Sequence, residues 1–391
     1  MQKRSLYWLA ISLGLSVFIA CKKDPGPVVV PPADQPVFYA WTQFVLGADL
    51  SYVNQVQDYG GVYRDSAAVT DPFKIFKKHG ANVVRVRLWY NPQWQAALNG
   101  GRRYNDLADV EKTIQRAKSA GLAVSLDLHY SDVWADPGHQ ETPAAWTGLA
   151  LPALQDSVYQ YTLALLNHLE SQNLTPEMIQ IGNETNQGML FPAGQVVNNN
   201  WAAFASLLKS GIQALRDFSA TSVIHPQIIL HVAQYKNADY FASHLQQNGV
   251  TDYDILGISH YDIWSEGYTF TQIENTTRSL RLSYGKKVMI VETAAPWTSQ
   301  NADNYPNIIP GTTGFAGYPV SPTGQLDYLK ALTQALIKGG GSGIIYWEPA
   351  WITSSLHDLY DTGSGWDNMT LFDAAGNSLP GLDYMTYPYK F

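Results

Sequence analysis

Two glutamates stand at the ends of apolar, mostly β-branched runs, Ile179-Gln-Ile-Gly-Asn-Glu184 and Val288-Met-Ile-Val-Glu292. Each run has the composition of a buried parallel strand that delivers one carboxylate at its C-terminal tip. The two lie far apart in sequence, so only a tertiary fold can bring them together. Two carboxylates facing one site can divide the work: one stays protonated and donates to a leaving oxygen, the other stays ionised and attacks. Proximity of like charges raises one proton affinity, and a nearby arginine lowers the other. Arg85 and Arg87 alternate onto one face of the run Val83–Trp89, and Arg87, nearer its C-terminal end, is expected to keep Glu292 ionised. Glu348 and Asp127 also lie at strand-like ends, so the pattern alone leaves the pair open.

The elements that would position these residues recur along the chain. Strand-like runs begin at Val45, Val83, Ala123, Ile179, Ile228, Ile255, Val288 and Gly343. Helical segments separate them. Asp71-Pro72 reads as an N-cap and first helical residue, with Gly80 as the stop. Asn105-Asp106 opens a helix whose apolar positions Val110, Ile114 and Ala117 keep helical spacing up to Gly121. Further helices are expected over 155–170, 201–218, 238–247, 271–284 and 325–338. Eight strands with intervening helices predict a single-domain α/β fold, a (β/α)8 TIM barrel. A doubly wound sheet would carry a Gly-rich phosphate turn after its first strand, and Gly47-Ala-Asp-Leu-Ser-Tyr52 is not one. The strand ends hold a ring of polar residues: Asp49, Arg85, Arg87, Asp127, His129, Asn183, Glu184, His231, His260, Tyr261, Glu292 and Glu348. One polar strand end is ordinary packing, whereas a ring around all eight reads as a site. Carboxylates about 5–5.5 Å apart across such a mouth suit a retaining glycosidase.

Composition narrows the substrate. The formal charge is −8 and only 15% of residues are charged, so nucleic acid and polyanionic substrates are poor candidates as partners. The chain has 12 Trp and 24 Tyr, which suit stacking on the apolar faces of sugar rings as well as core packing. The N-terminus reads separately. Lys3-Arg4, the mostly apolar run Leu6–Ala20, and Cys21 resemble a bacterial lipoprotein leader. The expected organisation is a signal peptide over 1–20, a lipidated Cys21 with a Pro-rich tether over 21–37, and a catalytic domain over 38–391. Cys21 is the single cysteine, placed where the lipid would be attached. An exported lipoprotein of the outer membrane, at the cell surface or its inner face, follows from this reading.

The motifs resemble glycoside hydrolase family 53, the endo-β-1,4-galactanases of clan A. The resemblance runs through Gly47-Ala-Asp-Leu-Ser51, then Asp127-Leu-His-Tyr-Ser-Asp-Val-Trp-Ala-Asp-Pro-Gly138 with Gln140, Pro143 and Trp146. It continues in Gln180-Ile-Gly-Asn-Glu184, Gly188-Met-Leu190, Val291-Glu-Thr293 and Tyr346-Trp-Glu-Pro-Ala-Trp-Ile352, and ends in Leu371-Phe-Asp373 and Leu379-Pro380. It implies a retaining endo-hydrolase of β-1,4-galactan, with Glu184 as acid/base and Glu292 as nucleophile. It also implies that Asn183 binds the sugar 2-hydroxyl, Tyr261 hydrogen-bonds the nucleophile, Trp347 floors the subsite, and His129 and Arg87 complete its polar wall. Asp49, Trp264, Trp297 and Trp351 complete the expected substrate-binding set. Two places depart from the family: His260-Tyr261-Asp262 replaces Tyr-Tyr-Pro, and Thr185-Asn186-Gln187 replaces Ile-Thr-Asn. These alter the expected cleft wall. Some bacterial members carry a calcium loop after the seventh strand. Here Asn301-Ala-Asp-Asn-Tyr-Pro-Asn307 offers one Asp, so Asp303 and Asn307 are weak ligands and a plain loop is the stronger reading. No other cofactor is expected, and the protein should act as a monomer.

Three other readings compete. A different clan A endoglycanase would share the carboxylates and differ in substrate. A metal-dependent barrel hydrolase is suggested by His129, His231 and His260, but the first strand supplies no histidine pair. A non-catalytic glycan-binding lipoprotein would have no need to keep Glu184, Glu292, Asn183 and Arg87 together.

Overall fold

The computed structural model describes residues 35–391, Glu266 excepted. The expected leader, Cys21 and most of the tether lie outside the described residues. Pro36–Phe391 forms one compact unit. Its centre is a closed barrel of eight parallel strands: β1 (Val45–Asp49), β2 (Val83–Leu88), β3 (Ala123–Leu128), β4 (Met178–Ile181), β5 (Gln227–Ala233), β6 (Ile255–Ser259), β7 (Lys287–Glu292) and β8 (Gly343–Tyr346). Neighbours in sequence are neighbours in space, and β8 closes the ring on β1. The longer helices between them are α1 (Pro72–Lys78), α2 (Leu107–Ser119), α3 (Leu151–Ser171), α4 (Ala202–Ser219), α5 (Tyr235–Gln247), α6 (Phe270–Tyr284) and α7 (Pro322–Lys338). After β8 a 3₁₀ segment, Pro380–Thr386, packs on α7 where an eighth helix would stand.

Local chemistry sets these elements. Asp71 caps α1 by accepting from the Phe73 N–H at 2.9 Å, and Asp106 caps α2 by accepting from Asp109 at 3.1 Å, each worth about 1 kcal/mol. Thr269 and Gln272 form a capping box at the start of α6, which ends on Gly285 in the left-handed conformation. On β2, Val84, Val86 and Leu88 pack into the layer under the helices, while Val83 belongs to a separate cluster inside the barrel. The period of two therefore turns Arg85 and Arg87 inward with Val83. The inner cluster of Val45, Val83, Met178, Ile229, Ile255, Met289 and Ile345 forms the barrel floor, and Trp41 packs against it. Gly47 is obligatory there, since a Cβ at its position would meet Ile345 at 2.7 Å.

Beside the floor, the two ends of the domain hold each other. The Val37 N–H donates to Thr386 at 2.9 Å, and the Tyr39 hydroxyl donates to the Tyr387 carbonyl at 2.8 Å. That hydroxyl also accepts from the Tyr389 N–H at 2.8 Å, and Phe391 packs on Tyr39 and Phe44.

The expected strand ends are shortened where chemistry is placed. β4 stops at Ile181, so Glu184 belongs to the turn after the strand, and β8 stops at Tyr346, two residues before Glu348. Gly182, Glu184 and Glu348 have φ of 78°, 46° and 45°, a region that breaks the ladder and re-aims the side chains. On β7 the register slips: Ile258 pairs with Ile290, but Ser259 pairs with Glu292. The extra residue is a bulge that turns Glu292 into the mouth, although Val291 before it already faces the interior. Two short helices, Val53–Asp58 and Gln93–Leu98, stand outside the expected elements. Neither has a side-chain cap, and each is too short to establish a period.

Candidate active site

The C-terminal ends of the strands open into a cleft of about 470 Å³. Its polar floor is built around Arg85. This buried guanidinium reaches Asp49 at 2.8 Å, Asp127 at 2.8 Å and Glu292 at 2.9 Å, and donates to Asn183 Oδ1 at 2.9 Å. Sequence reasoning expected Arg87 to hold Glu292. The structure corrects this: Arg87 pairs with Glu348 at 2.6 Å and lies against the faces of Tyr52 and Trp134, at 4.4 and 4.1 Å. The alternation that sends both arginines inward could not say which carboxylate each would meet.

The same contacts separate the rival carboxylates. Asp49 is committed to Arg85 and Ser51, and Asp127 to Arg85, His129 and Gln180. Glu348 is fully buried, held by Arg87 and by the Tyr52 N–H at 3.3 Å, and does not line the cleft. Glu184 and Glu292 both line it. Glu292 carries Arg85 on one oxygen and the Tyr261 hydroxyl on the other, at 3.0 Å. Tyr261 stays a donor there because burial, then the charges of Glu292 and Glu184, push its own ionisation up.

Burial raises the proton affinity of both glutamates, but their charged neighbours differ. For Glu184 the next largest influence is the like charge of Glu292, which raises it further. For Glu292 it is Arg85, which pulls it back against the smaller like-charge effects of Asp127 and Asp49, and the Tyr261 hydrogen bond adds to that pull. A proton shared by the pair therefore resides on Glu184 and leaves Glu292 ionised.

His129 is oriented by three contacts. Its Nδ1 receives the Trp89 indole N–H at 3.3 Å and the Ala135 N–H at 3.2 Å, so Nε2 carries the proton toward Asp127, 3.0 Å away. Asn183 accepts from Arg85 and donates through Nδ2 to Ala135 at 2.8 Å. The three strand-end histidines do not converge. His231 bonds within the β4–β6 wall, and His260 is buried against Ser265 and Tyr235 outside the cleft. Among the described residues no group of His, Cys, Asp and Glu is arranged to hold a metal ion. In the loop after β7, Asp303 accepts from Tyr305, Ser364 and Thr353, and the Asn307 amide nitrogen donates to Asn301, while Asn307 Oδ1 is buried without a hydrogen-bond partner.

Aromatic rings form the cleft walls. Trp347 stands edge-on to Trp366 at 4.7 Å and near Trp134 at 6.0 Å, and all three line the cleft with Trp351 and the half-exposed Trp264. Trp297 does not. Its indole donates to the Asp367 carbonyl at 2.8 Å and fastens the loop after β7 to the C-terminal loops. Sequence reasoning missed several lining residues: Trp134, Asp136, Tyr305, Asp358, Tyr360 and Trp366. They come from loops, which carry no period. Trp134 and Asp136 did stand in the motif after the third strand.

A closed β/α barrel with paired, unlike glutamates at an aromatic-walled mouth defines a glycoside hydrolase. The sequence comparisons agree. The model of glycosyl hydrolase family 53 matches residues 45–385. The chain is 43% identical to an arabinogalactan endo-β-1,4-galactanase of Cellvibrio japonicus, over 89% of this chain and 92% of that one. It is 31% identical to an endo-β-1,4-galactanase of Bacillus subtilis, over 88% and 86%. Among solved structures, the family 53 catalytic domain of Ignisphaera aggregans superposes with a TM-score of 0.81 at 33% identity, covering 91% of this chain and all of that one. A fungal β-1,4-galactanase gives 0.73 at 29%, covering 87% and 98%. The chain belongs to glycosyl hydrolase family 53.

Proposed function

We propose that this glycoside hydrolase is a retaining endo-β-1,4-galactanase acting on galactan and type I arabinogalactan. The observation that carries the proposal is the unequal environment of Glu184 and Glu292 in one open cleft. The names of its relatives support the substrate, and the low content of charge suits a neutral polysaccharide. In the first half-reaction Glu184 gives its proton to the glycosidic oxygen as Glu292 bonds to the anomeric carbon. In the second, Glu184 takes a proton from water, which attacks that carbon and releases Glu292. Arg85 and Tyr261 hold Glu292 in its ionised form. Trp347 offers the stacking face, while His129 and Asn183 present fixed polar groups beside it.

Proton NMR of an early galactan digest tests the mechanism. The new reducing end should appear first as the β-anomer. First release of the α-anomer would rule out double displacement, and preferential digestion of mannan would reassign the substrate. The proposal includes anchoring at a bacterial outer membrane through lipid on Cys21, supported by the leader-like sequence before it. A fatty-acid label should enter the wild type and be lost in Cys21→Ser; an unlabelled wild type would reduce the segment to an ordinary export signal.

A further inference from the structure

Gln140 stands in the motif after β3, is 2% exposed, and does not line the cleft. Its side-chain nitrogen makes two hydrogen bonds, both to backbone. Nε2 donates to the Asn183 carbonyl at 2.7 Å and to the Asp136 carbonyl at 3.0 Å. Carbonyl oxygens can only accept, so the nitrogen must face them and the orientation of the amide is fixed. The two carbonyls differ in what else reaches them. That of Asp136 also accepts from the His139 N–H at 3.1 Å. That of Asn183 receives no other hydrogen bond among the described residues. A buried carbonyl needs a donor, and here Gln140 provides it.

The Asn183 carbonyl belongs to the peptide group that leads into Glu184. No strand ladder holds that peptide, since β4 stops at Ile181. Gly182 before it and Glu184 after it have φ of 78° and 46°. A non-glycine residue keeps such a conformation only where its surroundings fix it. Gln140 is itself well fixed. Its carbonyl accepts from the Phe191 N–H at 2.7 Å, and the Thr142 hydroxyl donates to the Phe191 carbonyl at 2.8 Å. These bonds join the loop after β3 to the loop after β4, and the side chain of Gln140 reaches from that join to the turn before Glu184. Through Asp136, which lines the cleft, the same amide also holds a piece of the cleft wall.

We infer that Gln140 is a positioning residue for the acid step: by holding the Asn183 carbonyl it aims the Glu184 carboxyl at the glycosidic oxygen. The inference rests on Glu184 being the acid/base. Loss of Gln140 should therefore be felt where the aim of Glu184 matters and not elsewhere. A galactan bond breaks only as its leaving oxygen is protonated, whereas a dinitrophenolate leaves without a proton. Both substrates need the same nucleophile and the same fold.

The test compares kcat/KM on galactan with kcat/KM on 2,4-dinitrophenyl β-galactobioside for wild type, Gln140→Met, Gln140→Asn and Glu184→Gln, with circular dichroism of each. Methionine fills the space of glutamine without a donor, and asparagine draws the amide back by one methylene. Each should lower the galactan value by about ten- to a hundredfold, the cost of a slightly misplaced catalytic group. The aryl value should stay within about twofold of wild type. A general loss of structure would lower both, and if Gln140→Met does not fold, Gln140→Asn carries the comparison. Glu184→Gln should show the same split in larger measure. Equal falls on the two substrates, or no fall on galactan, in a folded Gln140 variant would overturn the positioning role, while the split in Glu184→Gln leaves the acid/base assignment standing. Absence of a split in Glu184→Gln would overturn that assignment instead.

Discussion

Replacing Arg85 by lysine should disable the nucleophile without emptying the site of charge. The guanidinium serves Asp49, Asp127 and Glu292 at once, with separate nitrogens for Asp49 and Asp127 at 2.8 Å. An ammonium is a compact point charge and cannot reproduce that fork. Asp49 and Asp127 lie deeper and lie against opposite nitrogens, so a lysine settles between them and gives up Glu292. A hydrogen bond to a charged group is worth about 1.5–3 kcal/mol, and one pKa unit is about 1.4 kcal/mol. The proton affinity of Glu292 should therefore rise by about one to two units. An ionised nucleophile is needed, so the acid limb of kcat/KM should move up by that amount, and activity below it should fall about tenfold per unit. Above the shifted limb much of the activity should return. The control is Arg87→Lys, which disturbs Glu348 and should lower kcat/KM while leaving the acid limb in place. An unmoved limb in a folded Arg85→Lys variant, or a moved limb in Arg87→Lys, would refute the argument that Arg85 sets the charge of Glu292.

Other consequences rest on single residues. Glu184→Gln and Glu292→Gln should each keep the thermal unfolding profile and lose at least about 10²-fold in kcat on galactan, since neither carboxylate can serve the other's role; near-normal turnover in either would remove that residue from the chemistry. Asp136 adds like charge beside Glu184, so Asp136→Asn should move the alkaline limb of kcat/KM down, and an upward shift would contradict the electrostatic account. His260 is held by burial at about 4, against about 6.5 in an unfolded chain. Between those values the unfolded chain binds a proton that the folded one refuses. Stability should therefore fall with acidification across that window, by up to about 1.4 kcal/mol per unit. Calorimetry should find a shallower decline in His260→Gln, and an identical slope would exclude His260 as a cause.

The barrel was legible because its signal is repeated: buried parallel strands are apolar throughout, and helices between them carry their own caps and periods. Asp106 with Val110, Ile114 and Ala117 predicts α2 almost to the residue. The strand-end ring was legible too, since a polar residue after an apolar run needs a reason. What the pattern could not carry was direction. Arg85 and Arg87 share a face, and only the depth of the barrel decides which meets Glu292 and which meets Glu348. By strict alternation Glu292 should point away from the interior that Val291 faces, and the β7 bulge that reverses this leaves no mark in composition. Trp297 illustrates the opposite failure. A tryptophan shortly after a catalytic strand suggests a sugar platform, yet its indole N–H found a carbonyl across the loop and became a fastener.

The interlocked ends at the barrel floor determine how the domain bears tension. Val37 and Tyr39 are tied to Thr386, Tyr387 and Tyr389 before the chain reaches β1. A pull applied at residue 36 is therefore shared with the C-terminal tail and is not drawn along a single strand. These bonds lie by the beginnings of the strands, whereas the cleft opens at their ends. A load at residue 36 and a polymer in the cleft would therefore act at opposite ends of one barrel, and the paired termini would share the first of them.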